Sequence, residues 1–155
     1  MAYVGGAPTG GGCIFCTALT GDPRERLVLC TTGASVVMLN RYPYASGHLM
    51  VAPRRHTADL VGMAADEHED LAETLRRAMA TIERELRPQG MNLGMNLGAA
   101  AGAGVTDHLH WHVVPRWVGD TNFMTTVAEA RVMPQHLLDT YDRLRPLFDG
   151  LDGRT

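Results

Sequence analysis

The sequence predicts an α+β fold: a five-stranded, mostly antiparallel sheet with one long helix and a C-terminal helix. Three observations lead there. Five short segments have strand character, turn-prone residues separate the first three, and one long segment repeats its apolar residues at helical spacing. Residues 1–12, MAYVGGAPTGGG, are glycine-rich and read as a flexible arm. RLVLCTT (26–32), SVVMLN (35–40) and HLMVAP (48–53) read as three strands, parted by TGAS and RYPYASG. A helix is expected over 65–87, with Leu71, Leu75, Met79, Ile82 and Leu86 on one stripe and carboxylates crowding its first turns. Pro88 and Gly90 end it. GMNLGMNLG (90–98) alternates as a fourth strand, and the loop GAAAGAG leads into a fifth, rich in histidine. A last helix over 134–144 docks on the sheet or on a partner, with the helices to one side of the sheet.

The chain has 155 residues, enough for one domain with a real core. Its net charge is only -3 and it holds no Lys/Arg run, so no nucleic-acid footprint is present and an anionic ligand must be held locally. No apolar run reaches membrane-spanning length, and the N-terminus lacks the basic start and apolar core of a signal peptide. The expectation is a cytoplasmic protein. Its three cysteines then argue against a disulfide framework and for thiol or metal chemistry.

The fifth strand, HLHWHVVPRW (108–117), places His108, His110 and His112 at every second position. In a strand these imidazoles share one face while Leu109, Trp111 and Val113 pack on the other, and the run stops at Pro115. A solvent-facing alternation is the bland alternative, but three histidines in register favour a functional face. Cys13 and Cys16 form a C-x-x-C pair, able to supply half of a tetrahedral zinc shell; His56 and one of the three histidines could complete it. A redox pair, disfavoured without a βαβ context, and a chance core pair are the other readings. Cys30, inside a strand, is read as a small core residue.

These residues together resemble the histidine triad (HIT) family. HLHWHVV fits its His-φ-His-φ-His-φ-φ pattern, with φ apolar, and CIFC, NRYPYASGHLMVAPRRH and NLGMNLGAAAGAG match its order and spacing. The likeness is greatest to a bacterial subgroup similar to diadenosine tetraphosphate phosphorylases. It implies a HIT-like fold, a single domain over 13–148 with a tail over 149–155, and an enzyme that cleaves dinucleoside polyphosphates at the α-phosphate through a nucleotidyl-histidine intermediate. His110 is then the nucleophile, suited to that role as a neutral imidazole. His112 reaches a phosphate oxygen, and His48 belongs to the same site. The resemblance assigns Cys13, Cys16, His56 and His108 to one structural Zn²⁺, which would set the pitch of the strand presenting His110. Ile14, Phe15, Leu39, Asn40 and Arg41 align with the nucleoside pocket. Asn96 and the loop residues Gly102, Ala103 and Gly104 are placed at the phosphates.

One departure is informative. Many members carry Gln four residues before the first triad histidine, where Gly104 stands here, which puts leaving-group assistance in doubt; Thr106 and Asp107 are the nearby polar groups. Arg116 and Asn122 are candidates to receive a second anion, which favours phosphorolysis over hydrolysis. Nucleoside phosphoramidate hydrolysis and non-catalytic nucleotide binding are the competing functions. The family's habit implies a homodimer meeting through residues 65–87.

Overall fold

The computed structural model of the chain describes residues 12–120 and 134–152. The elements run α1 (Ile14–Ala18), α2 (Pro23–Arg26), β1 (Val28–Thr31), β2 (Ser35–Leu39), β3 (Leu49–Pro53), α3 (Ala65–Leu86), β4 (Gly90–Gly94), β5 (Trp111–Arg116) and α4 (Pro134–Leu144), with short 3₁₀ turns at Ala99–Ala101 and Arg145–Phe148. The five strands form one antiparallel sheet in the order β1-β2-β3-β5-β4. The expected fold class is the observed one. Among the described residues, no helix is long and apolar enough to cross a membrane.

Both faces of the sheet are covered. One face buries Val37, Leu39, Leu49, Val51 and Val113 against Leu71, Ala78 and Ile82 of α3 and Leu144 of α4. The other buries Val36, Met38, Met50 and Ala52 against Phe15 and Ala18 of α1. Every residue of β2 and β3 is accordingly buried, and their near-continuous apolar runs are what two covered faces require. Helices therefore lie on both sides rather than one. In α3 the stripe turns slightly from the expected one. Thr74, Ala78 and Thr81 lie buried beside Leu71 and Ile82, while Leu75, Met79 and Leu86 pack at the edge of the core, because small residues let helix and sheet approach.

Several local readings change. Arg26 belongs to α2, not to a strand: Asp22 caps that turn by accepting from the Glu25 N–H at 2.9 Å, and Pro23 starts it. β4 covers only the first half of GMNLGMNLG. Its last pair is Gly94↔His112, and β5 begins one residue before His112, so the second half has no ladder to join. β5 runs through Pro115 to Arg116 instead of stopping at the proline. Its pairing with β3 ends at Val113, so on that side no strand is deprived of a donor. The chain beyond residue 149 is docked as far as Asp152: Leu151 is buried, and the Asp152 carboxylate accepts from the Thr31 N–H at 3.0 Å and the Arg145 guanidinium at 2.9 Å. The expected arm, apart from its last residue, and Asn122 lie outside the described residues.

Gly47 fixes the approach to the site. It sits at φ +81°, and a Cβ there would fall 2.3 Å from Leu86 Cδ1, so glycine alone lets the turn before His48 close over the end of α3.

Candidate active site and metal centre

Only His112 of the three alternating histidines lies within β5; His110 precedes it in irregular chain and His108 lies in a bend. The alternation holds nonetheless. His112 pairs with Met50, on the α1 side of the sheet, and the Phe15 ring stands 4.9 Å from His108 and 5.0 Å from His110. Leu109, Trp111 and Val113 pack into the opposite core. The Leu109 N–H, lacking a ladder partner, donates to the Thr57 carbonyl at 2.8 Å, which ties the segment to the chain after β3.

Two hydrogen bonds settle which ring nitrogens are free. Pro53 O, an acceptor only, lies 2.7 Å from His108 Nε2, so that nitrogen carries the proton and Nδ1 keeps its lone pair. The His108 carbonyl in turn lies 2.9 Å from His110 Nδ1, so His110 presents an unprotonated Nε2. Burial holds the His110 imidazole below its ordinary value, with the bond to His108 pulling the other way. A neutral ring with its far nitrogen exposed to a ligand is a competent nucleophile. Burial also pushes His112 down to about 4 and His48 down to about 3, each helped by a neighbouring imidazole. His48 Nε2 is 3.0 Å from His112 Nδ1, and the Tyr44 N–H donates to His48 Nδ1 at 3.1 Å. The His110 and His112 rings meet edge to face at 4.9 Å.

The four expected metal ligands converge. One donor atom from each of Cys13, Cys16, His56 and His108 lies within 4.8 Å of all the others. His108 Nδ1 is 3.1 Å from Cys13 Sγ, 3.7 Å from Cys16 Sγ and 3.2 Å from His56 Nδ1, and Cys16 Sγ is 3.4 Å from His56 Nδ1. With Zn–S about 2.3 Å and Zn–N about 2.0 Å, a tetrahedral shell needs sulfur–nitrogen edges of about 3.5 Å. The donor set fits zinc. Cys13 caps α1 and Cys16 lies one turn later, which is how C-x-x-C brings both thiols to one side. His56 Nε2 faces the Asp107 carboxylate at 3.4 Å, a contact that orients the ligand ring.

The remaining expected residues divide. Leu39, Asn40 and Phe15 are buried, Ile14 is half-buried beside Phe15, and Asn40 Oδ1 accepts from the Tyr42 N–H at 2.9 Å. Arg41 donates to the Glu25 carbonyl at 2.8 Å and so braces α2. The exposed Asn96 amide reaches Gly102 O at 3.4 Å, drawing the loop around Ala103 and Gly104 into a compact turn; Gly98 and Gly102 take φ +82° and +86°. Arg116 is engaged with the Asp120 carboxylate at 3.2 Å and Asn92 Oδ1 at 3.0 Å. Sequence reasoning missed the backbone acceptors at Pro53 and His108 and the Tyr44 donor, since no residue identity encodes them.

An antiparallel sheet that aligns alternating histidines beside a Cys₂His₂ cluster defines a histidine triad architecture. Residues 24–118 match the HIT domain family model, and the chain belongs to that family. It is 43% identical over 116 residues to the AP-4-A phosphorylase of Mycobacterium tuberculosis, a match covering 75% of this chain; it spans about 60% of that relative's length. Among solved structures, a hypothetical histidine triad nucleotide-binding protein from Sulfolobus tokodaii superposes with TM-score 0.73 at 24% identity, over 90% of this chain and 93% of that one. A Zn-bound histidine triad family protein from Mycobacterium smegmatis gives 0.62 at 27% identity, over 88% and 97%.

Proposed function

We propose that the protein is a nucleotidyltransferase that cleaves dinucleoside polyphosphates such as diadenosine tetraphosphate. The carrying observation is the His110 ring, pinned through Nδ1 to the His108 carbonyl with Nε2 free. Nε2 attacks the α-phosphorus, the bond to the bridging oxygen breaks, and the nucleoside triphosphate departs with the electron pair. A second nucleophile then releases the nucleotide from His110. His112 donates to a phosphate oxygen and His48 supports it. Asn96 and the loop from Gly98 to Gly104 hold the phosphates, and Ile14, Phe15, Leu39 and Asn40 wall the base and ribose. Arg41 serves that wall from behind, through α2.

Phosphate is the second nucleophile in this reading, supported by the 43% identical mycobacterial relative named a phosphorylase. Arg116, paired with Asp120, supports it less than its charge suggested. Incubation with diadenosine tetraphosphate is expected to give ADP plus ATP only when inorganic phosphate is present. AMP plus ATP at equal rates in either buffer would make water the acceptor.

Zn²⁺ on Cys13, Cys16, His56 and His108 is structural in this scheme, supported by the donor geometry. It would tie α1 to the segment that carries His110. The three thiols, paired with no disulfide among the described residues, suit a cytoplasmic setting. A second copy of the chain covers α3 and the edge strand β4, whose Leu93 is exposed. Light scattering is expected to return twice the 16.8 kDa chain mass. A monomeric mass at micromolar concentration would contradict the dimer.

A further inference from the structure

The contacts behind His112 specify more than a position. The Tyr44 N–H is a donor only, and it lies 3.1 Å from His48 Nδ1. His48 Nδ1 must therefore be unprotonated, and a neutral His48 carries its hydrogen on Nε2. That nitrogen is 3.0 Å from His112 Nδ1, which must then accept, leaving the hydrogen of a neutral His112 on Nε2. The Asn40 amide nitrogen also approaches His48 Nε2, at 3.4 Å, but a ring with both nitrogens accepting cannot be neutral. The shorter main-chain bond prevails, because Asn40 Oδ1 is occupied by the Tyr42 N–H and the Tyr44 amide cannot turn away. The Tyr44 ring also stacks on His48, with centroids 5.0 Å apart and planes 19° from parallel. His48 itself is 1% exposed.

We propose that Tyr44 is a positioning residue whose main-chain N–H holds the His48–His112 pair as a hydrogen-bond donor that cannot surrender a proton, confining the site to leaving groups that depart as oxyanions. The proton count gives the reason. If His112 Nε2 lost its hydrogen to a leaving group, the only hydrogen within the pair that could replace it is the one on His48 Nε2. His48 would then need one at Nδ1, and a peptide N–H does not ionise to supply it. One of the rings would be left as an imidazolate. The pair can therefore polarise a departing phosphate oxygen, but it cannot protonate an amine. A nucleoside triphosphate needs only the first service, and an amine leaving group needs the second. Gly104, four residues before His108, offers no side-chain donor to make up the difference.

This inference rests on the nucleotidyl-transfer reading and adds its leaving-group class. Long-range proton–nitrogen NMR of the ¹⁵N-labelled full chain is expected to show His48 and His112 both as neutral Nε2–H tautomers. Diadenosine tetraphosphate is expected to be cleaved at least about a hundredfold faster, in kcat/KM, than adenosine 5′-phosphoramidate. Tyr44→Pro, which removes the main-chain donor, is expected to lower kcat on the dinucleotide by about tenfold, leaving KM nearly constant and mixing the His48 tautomers, while Tyr44→Ala, which keeps the donor, retains the wild-type tautomers. An Nδ1–H His48 in the wild type overturns the proposal, as does a phosphoramidate rate equal to the dinucleotide rate. So does a folded Tyr44→Pro protein with unaltered kcat and tautomers. A wild type that shows the predicted tautomers but cleaves neither nucleotide supports the hydrogen-bonded pair and removes the transfer reaction instead.

Discussion

His110→Ala is expected to abolish turnover, by several orders of magnitude in kcat, while nucleotide binding survives. The asymmetry follows from what the ring does. Its Nδ1 is spent on the His108 carbonyl and its Nε2 is the only atom proposed to bond to phosphorus, whereas affinity is spread over the base wall, the phosphate loop and His112. Removing one buried ring leaves those surfaces in place. Calorimetry with a non-hydrolysable dinucleotide reads the binding, and rapid quenching with mass spectrometry reads the covalent step: wild type should carry a nucleotidyl adduct that the variant lacks. Circular dichroism checks that the variant is folded, since His110 is only 4% exposed and its loss leaves a void. Retention of most activity in His110→Ala would sink the assignment.

The second large effect concerns stability. Metal analysis is expected to find roughly one zinc per chain, and removing it should lower the melting temperature by roughly 10 °C. The estimate comes from a ligand at a thousand times its dissociation constant, worth about 4 kcal/mol, and about 2–4 °C for each kcal/mol in a domain of this size. Without metal, the residues after β3 and the segment before β5 keep their hydrogen bonds from Leu109 to Thr57 and from His108 to Pro53, but α1 is held at this point by packing around Phe15 and by weak contacts between donor atoms. Cys16→Ala should lose the zinc and the same stability. A Cys16→Ala protein that still binds stoichiometric zinc would contradict the four-residue shell.

Much of this could be read in the residues. The apolar spacing of 71–86, closed by Pro88, placed α3 nearly to the residue, because a long amphipathic pattern admits few alternatives. The strands at 35–40 and 48–53 were legible from their β-branched, turn-bounded runs. Cys13, Cys16 and His56 could be read as candidate ligands from the residues alone, but the choice of His108 among the three histidines came only through likeness to a family. Two short helices escaped, since a four- or five-residue turn has no periodicity to display. Asp22 before Pro23, with Glu25 to follow, was the missed cue. The fates of Arg41 and Arg116 were hidden for another reason. A surface arginine looks the same whether its partner is a substrate phosphate or its own fold, and here both are committed to the fold.

The bond from His110 to residue 108 has one more consequence, for how such a site can change over generations. The acceptor is a main-chain carbonyl, present whatever side chain occupies position 108, while the proposed metal ligand is the ring. Nucleophile and metal centre thus share a residue without sharing its chemical group. Losing the proposed zinc shell would cost the stability it supplies, yet the carbonyl that aims the His110 ring would remain. The converse does not hold: a change that turns the backbone at 108 moves the carbonyl and the ring together. Position 108 is thus constrained twice, by the place of its ring in the cluster and by the hold of its carbonyl on His110.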